Sequence, residues 1–341
     1  MGRAARRRIR VRKVGLDMIG SEGPDRWYLG ENCLEGGLPV FIDLRDGHPN
    51  WMVAGPPGMG KGRVARTCIA HHARAGSQVA VAASQPAEYL PFHQAKVATI
   101  ASSGDEIDRL LDLATAEMER RIAELTAFRW PDGTGCESYM DLPGVGRFRW
   151  VLIFDEIGNT LGIFGLSKYE KGQIVKWTNQ LGRLVMEGRK SGVVVVALPQ
   201  RATLPGISMA QPENSLLFSG LAGRMAMGNA ADNIESMFDK PQQPQGQAMA
   251  ALGEARGRAW VLGADFENMA RGMVVQVVDI SQEQCLMACA DYVGPPQLDL
   301  GSSPFDLPEQ REPVLRLVDE LTDDLYGDPE PPKTKTKEKV R

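Results

Sequence analysis

A glycine-rich loop at residues 55–62 constrains the fold of this chain more than any other feature. It reads Gly-Pro-Pro-Gly-Met-Gly-Lys-Gly, with the apolar strand Trp51–Ala54 before it and a predicted helix over 62–75 after it. Glycines let backbone N–H groups converge on phosphate oxygens, and the helix N-terminus adds a positive dipole. The pattern GxxxxGK between a strand and a helix predicts a nucleotide triphosphate site, or P-loop.

We expect the loop and the start of the helix to bind the nucleotide, with Lys61 reaching its β- and γ-phosphates. The predicted nucleotide-binding residues are Gly55, Pro56, Pro57, Gly58, Met59, Gly60, Lys61, Gly62 and Arg63. One position departs from the motif, because the residue after the lysine is usually a Ser or Thr whose hydroxyl binds Mg²⁺, and here it is Gly62. Thr67 lies too far along the helix to replace it. Either Mg²⁺ depends on a carboxylate, the phosphates and water, or hydrolysis is slow.

A second motif follows an apolar strand predicted over 149–154, which ends in Asp155 and Glu156. Ligands bind at the carboxyl ends of strands in open α/β sheets. We expect Asp155 to hold Mg²⁺ through water, and Glu156 to orient and deprotonate the attacking water. The alternative is that both acids only mark a helix N-terminus, where acidic residues are common.

Apolar strands alternate with amphipathic helices through the middle of the chain. Strands are predicted at 40–44, 51–54, 78–83, 149–154, 193–198, 216–218, 225–227, 247–252, 259–262 and 274–278, and helices at 62–75, 105–128 and 171–189. Several of these strands are apolar on both faces, which is typical of a parallel sheet covered on both sides. The predicted fold class is α/β, a RecA-like P-loop NTPase core with a mainly parallel sheet flanked by helices, plus disordered tails.

Composition divides the chain into three predicted parts: a basic N-terminal arm at 1–30, a RecA-like motor domain at 31–300, and a mostly disordered charged tail at 301–341 with one short helix at 313–325. The start of the arm is rich in basic residues: Arg3, Arg6, Arg7, Arg8, Arg10, Arg12 and Lys13. Such an arm is either solvated and disordered, or it contacts phosphates. The tail has too little apolar surface to offset the entropy of ordering it.

The bulk properties are those of an ordinary globular chain of 341 residues, with 43% hydrophobic and 24% charged residues. The net charge of -4 counts only weakly against a nucleic-acid binder, because a ring can bind DNA through a local basic surface. No apolar run is long enough for a membrane span or a signal peptide. The five cysteines are scattered, and only Cys285 and Cys289 lie close together, which predicts reduced thiols in a cytoplasmic protein rather than a zinc site.

Four segments, taken in order, resemble one family. They are the approach to the loop at 38–55, the run Glu-Met-Glu-Arg-Arg at 117–121, the pair Asp155-Glu156, and the stretch 188–201 that ends Ala-Leu-Pro-Gln-Arg. Together they resemble the FtsK/SpoIIIE/TraB family of double-stranded DNA translocases, within the wider FtsK–HerA group. The resemblance covers residues 38–265, about two-thirds of the chain.

The resemblance implies further roles. Gln200 would contact the γ-phosphate or water as a sensor, although it could otherwise only terminate its strand. An arginine from a neighbouring subunit would neutralise charge in the transition state, and Arg224 and Arg189 are both candidates, although either could be a surface arginine. The family also implies ATP and Mg²⁺ as cofactors, double-stranded DNA as a partner, and a homo-oligomer that forms a hexameric ring. The segment 158–172 would face the DNA channel, unless it is only a flexible surface loop.

Some positions depart from the family pattern. Pro199 stands where the family has Thr, Gly228 where it has a second Arg, and residues 82–86 lack its Asp-Pro-Lys run. No DNA-orienting winged-helix domain is expected to follow, and no membrane segment to precede. The chain resembles a compact motor of the actinobacterial branch found on plasmids, integrative elements and phages, some members of which also carry Gly after the P-loop lysine.

The predicted function is therefore an ATPase that drives translocation of double-stranded DNA, for transfer or partition of mobile-element DNA. We expect it to be cytoplasmic, with a possible membrane-bound partner protein that recruits it. Two alternatives remain open. One is a nucleotide-binding assembly or regulatory protein with a degenerate motor site, suggested by Gly62. The other is a packaging or secretion ATPase whose substrate is not duplex DNA.

Overall fold

In the computed structural model, a ten-stranded sheet forms the centre of the fold and helices pack on both of its faces. The structure describes residues 18–33, 37–45, 48–144, 147–161, 169–202, 215–228, 231–238, 240, 243, 256–263, 272–290, 292 and 294–301. These residues all belong to one unit, Met1–Ser303. The basic residues of the arm at 3–13, the predicted strand at 247–252 and the predicted helix at 313–325 lie outside the described residues.

The strands are β1 (Arg26–Asn32), β2 (Pro39–Asp43), β3 (Trp51–Ala54), β4 (Gln78–Ala83), β5 (Thr99–Ala101), β6 (Trp150–Asp155), β7 (Val193–Leu198), β8 (Gly223–Met227), β9 (Arg258–Leu262) and β10 (Met273–Val277). The helices are α1 (Lys61–Arg74), α2 (Leu90–Gln94), α3 (Gly104–Ala127), α4 (Ile157–Thr160), α5 (Lys171–Ser191), α6 (Ser215–Gly220), α7 (Ala231–Met237) and α8 (Gln282–Ala288). Two short 3₁₀ helices, Pro86–Glu88 and Tyr139–Asp141, complete the set within the described residues.

The sheet has the strand order β2-β1-β10-β9-β8-β3-β7-β6-β4-β5. Strands β8, β3, β7, β6, β4 and β5 run parallel to one another. Beyond β8, the strands β9, β10, β1 and β2 extend the sheet through antiparallel pairs. In the parallel part, β7 lies between the P-loop strand β3 and the acidic strand β6, which is a RecA-like arrangement. The predicted α/β class is confirmed.

Two predictions from the sequence are wrong in detail. Strand β1 begins at Arg26, inside the segment predicted as a basic arm (1–30), and its side chains Trp27 and Leu29 are fully buried. The basic composition of the first residues does not extend to this stretch, whose apolar side chains join the core. The segment 216–218, predicted as a strand, lies in helix α6, because a short apolar run alone does not distinguish the two structures.

The core lies in two layers, one on each face of the sheet. Trp51 and Val79 belong to the layer under α1 and α8, whereas Phe154 and Trp177 belong to the layer under α3 and α5. Each large apolar side chain that is fully buried stabilises the fold by about 1.5–3 kcal/mol. The parallel strands β4, β6 and β7 are buried along nearly their whole length, which holds their carboxyl ends in fixed positions.

Arg121, the last residue of the Glu-Met-Glu-Arg-Arg run, is a buried cation with 1% of its side chain exposed. Its Nε donates to Glu117 Oε1 at 2.6 Å, and its Nη1 donates to the carbonyls of Phe148 at 2.8 Å and Ser191 at 3.1 Å. The guanidinium also lies 4.6 Å from the ring centroid of Tyr139. Arg121 thus connects α3 to the start of β6 and to the end of α5, so its contacts are structural.

Two adjacent histidines on α1 are buried and predict an acid-sensitive fold. Burial lowers the pKa of His71 to about 4 and lowers the pKa of His72 well below its ordinary value. Neither ring nitrogen of His72 has a hydrogen-bond partner among the described residues. In the unfolded chain both histidines take up a proton near pH 6.5, whereas in the native state they stay neutral at that pH. The free energy of unfolding therefore decreases as the pH falls below about 6.5.

We expect the free energy of unfolding to decrease by about 2 kcal/mol for each such histidine between pH 7.5 and pH 5. Urea unfolding of the wild type and of His72→Leu at the two pH values checks this. The variant should lose less stability on acidification, because Leu keeps the apolar volume without a proton site. An equal loss in both proteins would show that His72 does not carry the effect.

Candidate active site

The P-loop connects the end of β3 to the start of α1, at the edge of the sheet where the parallel strands end. Gly60 has φ 110°, and a Cβ there would lie 3.1 Å from the Cα of Gly257, so the close approach requires glycine. The Gly257 N–H donates to the Met59 carbonyl at 2.9 Å, and the Gly55 N–H donates to the Pro199 carbonyl at 3.3 Å. The neighbouring strands therefore hold the loop at both ends.

Lys61 lies at the first position of α1 and its ammonium group turns back over the loop. Its Nζ donates to the Gly55 carbonyl at 2.6 Å and to the Pro56 carbonyl at 3.4 Å. Burial lowers the pKa of Lys61, while the charges of Asp155 and Glu156 oppose that change. The structure thus brings the predicted phosphate-binding lysine and the predicted acidic pair into one electrostatic site.

Asp155 ends β6 and is paired in register with Leu198 of β7 and Ala83 of β4. Burial raises the pKa of Asp155 to about 6. Glu88 and Glu156 add to this rise, whereas the Tyr89 hydroxyl and the Lys61 ammonium oppose it. Asp155 is held at the end of a strand, and the nearby ammonium of Lys61 favours its ionised form. Such a carboxylate is suited to bind Mg²⁺.

Glu156 has the left-handed backbone angles φ 43° and ψ 53°, which cost about 1–3 kcal/mol in a residue other than glycine. Its carboxylate accepts two hydrogen bonds from amides: Gln200 Nε2 donates to Oε1 at 2.6 Å, and Asn159 Nδ2 donates to Oε2 at 2.8 Å. Backbone strain at a residue whose side chain is this closely oriented is common at functional sites. The two hydrogen bonds fix the Glu156 carboxylate beside Gln200, an orientation that a general base would require.

Gln200 follows β7 and is itself held in place. The backbone carbonyl of Gln200 accepts a hydrogen bond from Asn233 Nδ2 at 3.3 Å, and Asn233 Oδ1 accepts one from the Ala202 N–H at 2.7 Å. The structure therefore brings together two residues predicted separately, Glu156 and Gln200. Asn159 was not predicted, although an amide one helical turn after the Glu is a local signal that could have indicated it.

Arg63, predicted to bind nucleotide, has its side chain engaged by an acidic residue. Its Nε lies 2.8 Å from the Asp279 carboxylate, and its backbone N–H donates to the Gly60 carbonyl at 3.0 Å. A contribution of Arg63 to the nucleotide remains a prediction. The remaining loop residues lie between β3 and α1 as the motif requires.

The two candidate arginines lie at the opposite edge of the sheet from the P-loop. Arg224, near the start of β8, donates to the Met237 carbonyl, and Arg189, near the end of α5, donates to the Arg45 carbonyl at 3.4 Å. Burial lowers the pKa of His48, just before β3, and the charges of Arg189 and Arg224 lower it further. Both arginines lie near the start of β3, whereas the P-loop follows the end of that strand. Neither arginine is therefore in the same site as Lys61 of its own chain.

The residues present suit a magnesium nucleotide. Among the described residues, no group of three or more His, Cys, Asp and Glu side chains could hold a metal ion by itself. Mg²⁺ bound with a nucleotide needs only one or two carboxylates, because phosphates and water complete its six oxygens. Asp155 would supply such a ligand, and Lys61 would neutralise phosphate charge.

Known proteins resemble this chain in fold. No protein-family model matches the chain, and no curated protein matches it. Solved structures do match, among them a conjugation coupling protein and ATPases, and the chain has their fold. The fold implied by the sequence resemblance is thereby confirmed.

One neighbour is the pCW3 conjugation coupling protein TcpA, solved as a monomer with ATPγS, with a TM-score of 0.61, 17% identity, and coverage of 81% of this chain and 75% of that one. Another is EssC (ATPases 2 and 3) from Geobacillus thermodenitrificans, with a TM-score of 0.59, 14% identity, and coverage of 82% and 52%. A third is the cytoplasmic domain of the type VII secretion ATPase EccC from Thermomonospora curvata, with a TM-score of 0.56, 17% identity, and coverage of 84% and 33%. This chain thus spans about half or less of the latter two.

Among the described residues, no helix is both long and apolar enough to cross a membrane.

Proposed function

We propose that this protein hydrolyses ATP with Mg²⁺ and uses the energy to move double-stranded DNA. The observation that carries the hydrolysis proposal is the hydrogen bond between Glu156 and Gln200, in the same electrostatic site as Lys61 and Asp155. Lys61 and the loop would hold the phosphates, and Asp155 the metal. Glu156 would take a proton from the attacking water, which Gln200 would help to orient.

The proposal that DNA is the substrate rests on the sequence resemblance to FtsK/SpoIIIE/TraB translocases. The likeness to a protein named as a conjugation coupling protein supports transfer of mobile-element DNA. The position of Arg189 and Arg224, away from the P-loop of their own chain, supports a ring in which one copy supplies an arginine to the next. We propose a hexameric ring, which a membrane-bound partner protein would recruit.

The test is the rate of ATP hydrolysis with and without duplex DNA, for the wild type and for Glu156→Ala. Duplex DNA should stimulate the wild type severalfold, and the variant should be inactive in both conditions. Hydrolysis that does not respond to duplex DNA would contradict the translocase proposal. Nucleotide binding without any hydrolysis would instead favour a regulatory or assembly protein with a degenerate motor site, the alternative that Gly62 suggests.

A secretion ATPase is the second candidate, because two structural neighbours are EssC and the type VII secretion ATPase EccC. EccC (ATPases 2 and 3) was solved in complex with a signal sequence peptide. In the same assay, a secretion peptide would then stimulate hydrolysis and duplex DNA would not. We favour DNA, because the Glu-Met-Glu-Arg-Arg run and the stretch ending at Gln200 resemble the DNA translocases.

The basic arm should contribute affinity that depends on salt. Replacing its seven Arg and Lys residues with Gln should weaken binding of duplex DNA and flatten the dependence of log K on log salt by about 0.9 for each phosphate that the arm neutralises. Fluorescence anisotropy over a salt series measures both quantities. An arm of shuffled sequence and equal charge should bind like the wild type. An unchanged slope in the Gln variant would mean that the arm is only solvated.

A further inference from the structure

Glu88, which is not part of the P-loop motif, lies beside Gly62, the position at which the motif usually has a Ser or Thr hydroxyl. Glu88 belongs to the 3₁₀ helix Pro86–Glu88, which follows β4. A Cβ built on Gly62 would lie 2.5 Å from Glu88 Oε1 and 3.2 Å from Oε2. A Ser or Thr at position 62 would force the Glu88 carboxylate to move aside, so the two side chains compete for the same space.

The surroundings of Glu88 hold it at this place. Gln282 Nε2 donates to the Glu88 carbonyl at 2.7 Å, and Arg66 Nη1, one turn after Gly62 on α1, pairs with the carboxylate. The side chain remains 42% exposed, so water and an ion have access to it. Its negative charge also acts on Asp155, where it adds to the rise of the pKa that burial causes.

We propose that Glu88 replaces the missing hydroxyl and supplies the second carboxylate of the Mg²⁺ site, together with Asp155. The inference rests on the proposed nucleotide binding at the P-loop. Mg²⁺ at nucleotide sites takes one or two carboxylates along with phosphate and water oxygens, and a carboxylate is at least as good a ligand as a hydroxyl. Gly62 is then not a sign of a degenerate motor site, because the absence of a side chain there leaves the space that the Glu88 carboxylate occupies.

The experiment measures how much Mg²⁺ tightens the binding of ATPγS to the full chain, as the ratio of Kd in EDTA to Kd in MgCl₂, by calorimetry. Glu88→Gln keeps the shape and removes the charge, and should lower this ratio about 10-fold or more. Arg66→Gln is the matched control, because it breaks the same ion pair but keeps the carboxylate. Because Gln282 still holds the backbone of Glu88, this variant should retain the wild-type ratio.

A reciprocal variant tests the replacement directly. Gly62→Thr alone should lower the ratio, because the threonine Cβ would push the Glu88 carboxylate out of its place beside the loop. Glu88→Ala combined with Gly62→Thr should recover at least half of the loss on a logarithmic scale. Should Glu88→Gln not fold, Glu88→Asp takes its place, with the carboxylate drawn back by one methylene and a lower ratio expected.

Three outcomes would overturn the inference: an unchanged ratio in the Glu88 variants, the same loss in Arg66→Gln, or no recovery in the double variant. Failure of the wild type to bind ATPγS would contradict the proposed function instead. The two failures are therefore distinguishable.

Discussion

Glu156→Gln is expected to lower kcat for ATP hydrolysis at least about 100-fold, while nucleotide affinity changes by no more than about threefold. A general base acts only as the water loses its proton, so its loss affects the transition state and not the bound ground state. The Gln side chain keeps the size of Glu156, and its amide oxygen can still accept a hydrogen bond from Asn159. It cannot, however, accept the proton from water. Steady-state kinetics and ATPγS titration measure the two effects separately.

The control for this variant is Glu170→Gln. Glu170 is an exposed acid at the start of α5 whose side chain makes no capping hydrogen bond, so the same change of charge there should leave kcat as it is. If Glu156→Gln hydrolyses ATP at the wild-type rate, the base lies elsewhere, and the hydrogen bond from Gln200 has another purpose.

Arg121→Met is expected to lower the free energy of unfolding by about 3–5 kcal/mol. The change leaves Glu117, with 18% of its side chain exposed, without its buried partner, and it removes the donor to two backbone carbonyls. Met has nearly the same length, so the loss arises from charge and hydrogen bonds more than from volume. Urea unfolding followed by circular dichroism gives the free energy.

The adjacent residue provides a matched control. Arg120 also pairs with Glu117, and with Glu124, but 54% of its side chain is exposed. Arg120→Met should therefore cost no more than about 1 kcal/mol. Equal costs for the two variants would contradict the structural role given to Arg121, which depends on its burial and on its bonds to two backbone carbonyls.

The sequence predicted the parts of the site whose geometry is local. Strand, loop and helix around Lys61 follow one another along the chain, and Asp155 ends an apolar strand, so both motifs are visible without a fold. The position of Gln200 beside Glu156 required one further step. The family resemblance supplied that step, because it implied that Gln200 contacts the γ-phosphate or water, at the carboxyl ends of the strands where ligands bind.

Other features arise from contacts between distant elements, and the sequence did not predict them. The approach of Glu88 to Gly62 depends on the path of the chain after β4 and on Gln282 of α8. The membership of β1 in the sheet depends on its pairing with β10, far along the chain. The short apolar run of α6 suits a strand as well as a helix, so the sequence predicts the wrong structure there.

The most direct test of the central claim is displacement of a triplex-forming strand from duplex DNA. A motor that moves along the duplex removes the third strand, whereas a protein that only binds the DNA does not. We predict that the wild type displaces the third strand when ATP and Mg²⁺ are present, and that Glu156→Gln and wild type with ATPγS do not. Duplex binding and ATP hydrolysis by the wild type without any displacement would contradict the account.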